Sequence, residues 1–355
     1  MKRIVSISIF LVFFATVGAS VFIWKYYINQ AASDSDQEVI FEVIAGKTFH
    51  QVAKELEQKQ IVRNAQIFSL FARTIGQANK IKIGEYALKG NMLPKDILGI
   101  LTSGKSIRRP FTVAEGLNIF EIAEAYDKAG FGNAEIFLQA AQDPSLVKYL
   151  LGDGPETLEG YLFPETYQIT KFTTTRELIT QMVKNFDAKF IQVQKIGGQG
   201  NLTKHQVVTL ASIIEKETGA PEERPLISSV FHNRLRKGML LQTDPTILYG
   251  IADETKKLAV NITKADILRR TRYNTYVVKG LPPGPISNPG KAALIAALNP
   301  IESDFLFFVS HNDGTHAFSQ DLKKHNAAVK KFQLDRNARE GKSWRDLNKK
   351  LNKDK

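Results

Sequence analysis

Two glutamates, Glu215 and Glu217, lie two residues apart near the end of a predicted helix, in the string ASIIEKET at residues 211–218. At about 100° of rotation per residue their side chains diverge by about 200°, so both cannot act on one bond. Each lies at a flank of the apolar stripe Val207, Leu210, Ala211 and Ile214, with Lys216 on the opposite side. A flank combines partial burial, which raises a carboxyl pKa, with access to a reacting group, and a general acid needs both. The helical wheel does not choose between the two, and a pair of solvated helix charges is the plain alternative.

Other groups with chemical potential follow. Gln242-Thr243-Asp244-Pro245 is a polar turn opening a helix, where Asp244 either faces a ligand or caps the helix before the proline. Residues 159–169 (EGYLFPETYQI) interleave Tyr161, Phe163 and Tyr167 with Glu159, Glu165 and Thr166. Aromatic faces stack on sugar rings and carboxylates accept sugar hydroxyls, so this stretch reads equally as a groove wall or as a core strand and turn. His311 and His316 flank a predicted hairpin turn with Asp313 between them, but no HExxH-like spacing occurs among the six histidines. A catalytic zinc site needs three ligands and an open position, and the spacing gives no such set.

The elements that must position these groups are legible. Thr203 and Gln206 form a capping box at the start of the glutamate helix. A second amphipathic helix carries Val230, Phe231 and Leu235, ends around Asn233, Arg234 and Arg236, and is closed by Gly238. Residues 280–290 (GLPPGPISNPG) form a rigid loop whose proline and glycine density reads as backbone exposed to a ligand. A short helix over 292–298, a buried strand over 305–309 and a hairpin turn at 311–314 follow.

The first half contains a repeat at an offset of 70 residues. FEVIAGKTFHQVAKEL (41–56) matches FTVAEGLNIFEIAEAY (111–126), with Phe41/Phe111, Val43/Val113, Gly46/Gly116 and Ala53/Ala123 identical. Each copy reads as a strand, a glycine turn and an amphipathic helix. Residues 83–88 alternate like a strand, and Pro94 opens a further helix. The first copy resembles a LysM module, a strand–helix–helix–strand unit that binds N-acetylglucosamine-containing glycans, although a plain packing unit fits the same pattern.

Residues 4–24 carry no charge, follow Lys2 and Arg3, and precede Tyr26 and Tyr27. A run of that length spans a bilayer core of about 30 Å, and the flanking charges place the remainder outside the cytoplasm. A cleaved signal peptide would end near Ala19, but the apolar run continues past it. The chain has 355 residues, 43% hydrophobic and 24% charged, which excludes wholesale disorder. It has no cysteine, which excludes a disulfide framework, a thiolate metal site and a thiol nucleophile. The net charge is +12, of which residues 323–355 carry +8 (12 basic, 4 acidic). That concentration in a tail, on an exported body, argues against nucleic acid as a partner.

The strings ASIIEKET, FHNRL (231–235), LQTDPTILYG (241–250), YNTY (273–276), GLPPGPISNPG and THAFS (315–319), together with EGYLFPETY and the N-terminal run, resemble the endolytic murein transglycosylases of the YceG-like family, in order and over nearly the whole chain. The resemblance implies an α+β protein with this layout: 1–3 cytoplasmic, a single transmembrane helix over 4–24, a linker over 25–40, a LysM-like subdomain over 41–110, a mixed α+β catalytic domain over 111–334 and a basic tail over 335–355. It implies internal cleavage of peptidoglycan glycan strands at the bond between N-acetylmuramic acid and N-acetylglucosamine, with a 1,6-anhydromuramoyl product and no cofactor or metal. It assigns the catalytic acid to Glu217, with Glu215 as runner-up. Glu165, Tyr167, Gln242, Thr243, Asp244, Asn274 and Tyr276 follow as substrate-positioning candidates. The expected location is the inner membrane, single-pass, with the catalytic domain extracytoplasmic and peptidoglycan synthases as partners. A non-catalytic peptidoglycan-binding scaffold and a metal-dependent hydrolase are the competing readings.

Overall fold

The computed structural model describes residues 24–196, 201–217, 220–259 and 261–335. The expected membrane span and basic tail lie outside these residues, apart from Trp24 and Asp335 at their edges. Among the described residues no helix is long and apolar enough to cross a membrane. The chain divides into two compact units, one formed by residues 1–110 with 168–173, the other by 111–167 with 174–355.

The first unit is a strand–helix–helix–strand motif with an added helix. Strands β1 (Glu38–Val43) and β2 (Gly84–Lys89) pair antiparallel, with Phe41 opposite Tyr86. Between them run α1 (Phe49–Gln58) and α2 (Ala65–Thr74), and α3 (Pro94–Ser103) follows with its proline in the first turn. Period-two alternation sends Phe41 and Val43 into the core and leaves Ile40 exposed. Against them pack Val52, Leu56, Phe68 and Leu101 from the helices. The expected linker is not free chain. Strand β1 begins inside it, Tyr27 is buried and donates to Asn64 O, and Ser33 N–H bonds Gly90 O at 3.0 Å. Trp24 packs edge-on to Phe71.

From residue 109 the chain restarts the same motif. Strand β3 (Arg109–Thr112), α4 (Ile119–Lys128), α5 (Ala134–Ala141), α6 (Pro144–Leu151) and β4 (Thr166–Ile169) follow, with β3 pairing β4. Helices α1 and α4 start 70 residues apart, each with a full capping box, Thr48 with Gln51 and Asn118 with Glu121. The glycines before them, Gly46 and Gly116, both take positive φ (84° and 79°), which explains why this position of the repeat is glycine.

The helical body of the second unit comprises α7 (Thr175–Ile196), α8 (Lys204–Glu217), α9 (Arg224–Arg236), α10 (Asp244–Thr255), α11 (Lys264–Ile267) and α12 (Lys291–Leu298). It ends in a hairpin of β5 (Phe307–Ser310) and β6 (His316–Ser319), then α13 (Leu322–Val329) and a π-helical turn (Lys330–Leu334). Helix α8 is central: α9, α10 and α12 pack on it, and every residue from Val207 to Ile214 is buried. A stripe on one face is thus too modest a reading, because an all-round apolar helix is an interior one. The capping box at Thr203 and Gln206 is formed.

The EGYLFPETYQI stretch resolves toward core. Tyr161, Phe163 and Tyr167 are 2%, 6% and 3% exposed. Glu159 is buried too and accepts from Ile119 N and Asn288 Nδ2, both at 2.9 Å; burial pushes its pKa up to about 8. The GLPPGPISNPG loop is likewise internal at its second half. Ser287 and Asn288 are fully buried, Ile286 N–H donates to Ser212 Oγ, and the Asn288 amide bonds Leu117 O and Leu162 N. The loop ties helix α8 to the second repeat instead of offering its backbone to a ligand.

Candidate active site

The two helix glutamates part as the rotation per residue requires. Glu215 turns to the interior, where its Oε1 accepts from Arg224 Nη2 at 2.9 Å and its Oε2 from Gly290 N at 2.9 Å. Both oxygens are committed to donors inside the protein, which gives Glu215 a structural role. Glu217, the last residue of α8, turns the other way into a groove of about 530 Å³. Arg234, Gln242, Asp244, Tyr276 and His316 line the same groove.

Burial is the main force on the Glu217 carboxyl and lifts its pKa from an ordinary 4.5 to about 7. The Thr243 side chain pulls it down, the Asp244 charge pushes it up and the Arg234 charge opposes that push. Thr243 Oγ1 is buried and has no hydrogen-bond partner of good geometry among the described residues, so the carboxyl is its natural acceptor. A carboxyl balanced near neutrality can both give and take a proton at physiological pH.

Asp244 opens α10 but does not cap it. Thr243 is the N-cap residue, with no side-chain cap bond, and Pro245 follows Asp244 in the first turn. The Asp244 carboxylate instead accepts from Tyr276 Oη at 2.7 Å, and Asp244 is exposed in the groove. Of the alternatives left open by the sequence, the groove-facing one describes this geometry.

The turn carrying Gln242, Thr243 and Asp244 is held by a buried hydroxyl network. Thr275 Oγ1 accepts from Thr243 N at 3.0 Å and lies 2.9 Å from Thr246 Oγ1, which donates to Thr243 O at 2.6 Å. Thr275 O accepts from Gln242 N. Gln242 sits at φ 51°, a left-handed conformation costly for a residue with a Cβ, and the network around it holds that strain in place.

Arg234 was readable only as a cation in the last turn of α9. It is in fact buried, with its Nε donating to Leu306 O (2.7 Å) and Nη1 to Leu240 O (3.2 Å) and Leu241 O (2.8 Å). It thereby joins the β5 hairpin to the turn before Gln242 and brings a positive charge to Glu217. Sequence pattern alone gives no signal for this, because the partners are main-chain carbonyls, whose positions no residue type reveals, and one of them lies 72 residues away. His325 and Gln333, from the C-terminal helical segment, complete the groove.

The remaining candidates do not gather here. Asn274 is fully buried, and its amide donates to Asp266 O, Ile267 O and Arg269 O, so it organises the α11 turn. Tyr167 donates to Phe163 O and is core. Glu165 is exposed and accepts from Asn185 Nδ2 at 2.6 Å, outside the lining of the Glu217 groove. His311 pairs with Thr315 Oγ1 and His316 with Glu223. Among the described residues no group of three or more His, Asp or Glu side chains is placed to hold a metal ion.

The profile of the YceG-like family matches residues 41–331. The chain is 31% identical over 338 residues to the endolytic murein transglycosylase of Bacillus subtilis strain 168, covering 90% of this chain and 92% of that one. It is 30% identical over 355 residues to the endolytic murein transglycosylase of Streptococcus pneumoniae serotype 2 strain D39, where 90% of this chain meets 64% of the longer relative. A 2.6 Å crystal structure of a yceG-like protein from Listeria monocytogenes superposes with a TM-score of 0.56 at 32% identity, covering 82% of this chain and 99% of that chain. With a family match spanning most of its length, the chain belongs to the YceG-like family.

Proposed function

We propose that this chain is an endolytic murein transglycosylase, a lyase that cleaves peptidoglycan glycan strands internally, with Glu217 as its acid and base. The observation that carries this reading is a half-buried carboxyl, lifted by desolvation to a pKa of about 7, in a groove walled by Asp244, Arg234 and Tyr276. The curated relatives bearing that activity in their names support it.

In the proposed reaction, protonated Glu217 gives its proton to the oxygen between N-acetylmuramic acid and N-acetylglucosamine, and the C1–O bond breaks. The muramoyl 6-hydroxyl then attacks C1, and its proton passes to the Glu217 carboxylate. The enzyme ends in its starting state, no water is consumed, and the muramoyl residue leaves as the 1,6-anhydro form. Asp244, held by the Tyr276 hydroxyl, supplies negative charge for the positive charge that develops at C1. Gln242 and Thr243 position the sugar and the acid. Glu215 takes no part.

The setting is also part of the proposal. Residues 4–24 anchor the chain in the inner membrane by a single pass, the catalytic unit is extracytoplasmic, and newly made strands from membrane-bound synthases are the substrate within reach. The first unit serves as a LysM-like glycan-binding subdomain. Its strand–helix–helix–strand order and a cavity of about 820 Å³ bordered by Lys47, Phe49, His50, Arg73 and Asn79 support that role.

The test is digestion of purified peptidoglycan by the full chain in detergent, read by mass spectrometry, with Glu217→Gln and Glu215→Gln alongside. Anhydromuramoyl ends that vanish only in Glu217→Gln are expected. Reducing ends would mean a hydrolase, and activity surviving in Glu217→Gln would remove the assignment.

A further inference from the structure

The groove lining contains a histidine with a carboxylate behind it. Glu223, in the single 3-10 turn Pro221–Glu223 that follows the glutamate helix, holds His316 at two points. Its Oε1 accepts the His316 main-chain N–H at 2.9 Å, and its Oε2 lies 2.7 Å from His316 Nδ1. Both side chains are largely enclosed, 10% exposed for His316 and 13% for Glu223. The imidazole is also braced edge-to-face against Phe308 at 5.4 Å. One hydrogen bond fixes the main chain of His316, and a second with a ring contact fixes its imidazole; His316 lines the same groove as Glu217.

An ionised carboxylate only accepts hydrogen bonds. A neutral imidazole beside it therefore carries its proton on Nδ1, and Nε2 is left with a lone pair. Among the described residues no hydrogen bond of His316 uses Nε2. The Glu223–His316 arrangement is that of a carboxylate orienting a histidine whose far nitrogen does the work. A merely structural tie between the hairpin and the 3-10 turn would fix the same tautomer but would need no place in the groove lining.

We infer that His316, oriented by Glu223, is a substrate-contacting residue whose Nε2 accepts a hydrogen bond from a hydroxyl or acetamido N–H of the glycan lying across Glu217. The inference rests on the groove being the glycan cleft. It adds to that reading a specificity element that selects a donor group on the sugar. A single hydrogen bond of this kind is worth a factor of about 3 to 10 in binding.

The test has two independent arms, both on the full chain in detergent. In the first, 15N NMR of the imidazole reports the tautomer without substrate or turnover. The wild type is expected to show protonated Nδ1 and bare Nε2. Glu223→Gln is expected to reverse this, because the glutamine amide donates to Nδ1. In the second arm, KM and kcat for purified glycan strands are measured. His316→Phe and Glu223→Gln are expected to raise KM about 3- to 10-fold, and His316→Gln, whose side-chain oxygen reaches toward the Nε2 position, to recover part of the loss. Lowered thermal stability with unchanged KM in both variants would make the pair a structural tie and overturn the inference, as would a wild-type ring protonated on Nε2. A wild type with the expected tautomer but no glycan cleavage would strike at the function proposed for the groove, so the two failures are distinguishable.

Discussion

Replacing Glu217 by Gln should stabilise the protein while abolishing its activity, and the size of the effect follows from the site. The carboxyl is neutral in the folded state up to about pH 7, whereas in the unfolded chain it ionises near 4.5. Below pH 4.5 both states hold the proton and Glu217 contributes no pH dependence. Between 4.5 and about 7 the unfolded state releases its proton and the folded state does not, so stability falls as pH rises. At about 1.4 kcal/mol per pH unit the deficit reaches about 3 kcal/mol and stays constant above pH 7. Gln removes it. Thermal unfolding of wild type and Glu217→Gln from pH 4 to 9 should therefore show curves that coincide at pH 4 and separate by on the order of 5–10 °C at pH 8. Glu159, whose pKa burial also raises, adds the same slope to both proteins and cancels in the difference. Curves that stay parallel from pH 4 to 9 would mean that Glu217 ionises at no cost in the fold. The argument for a desolvated general acid would then fail, whatever the activity of the variant.

The same balance predicts the rate profile. kcat/KM on purified glycan strands should fall about tenfold per pH unit above pH 7, where the acid loses its proton. Asp244→Asn removes the charge that pushes the Glu217 pKa up and should move this alkaline limb to lower pH; Thr243→Val removes a group that pulls it down and should move the limb to higher pH. Limbs that do not move in opposite directions would refute the assigned neighbours. Thr275→Val breaks the hydroxyl network under the Gln242 turn and should cost about 1–3 kcal/mol in urea unfolding, with a drop in kcat larger than any change in KM. Incubation with a chelator should leave cleavage unchanged, and its loss would revive the metal-dependent hydrolase.

Much of this protein was legible from local rules. The capping boxes at Thr48, Asn118 and Thr203, the glycine at Gly46 and Gly116, the hairpin at residues 311–315 and the helices over the motif strings all follow from interactions within a few residues, where side-chain type and spacing decide the outcome. The divergence of Glu215 and Glu217 is equally local, since helical rotation alone sends them to different surroundings. What those surroundings are was decided by tertiary structure. Tyr167 and Asn274 are polar residues in motif strings, and only the packing of distant elements shows one to be core and the other a brace for main-chain carbonyls. The Pro/Gly loop looks like a ligand platform until Asn288 is seen buried against Leu117 and Glu159. Arg234 and His316 reach the groove through partners up to 93 residues away. Sequence determines which side chains a helix presents on each face. The pKa of Glu217, the strain at Gln242 and the tautomer of His316 depend on what the rest of the chain packs against those faces, and desolvation and long-range charge exist only once it has folded.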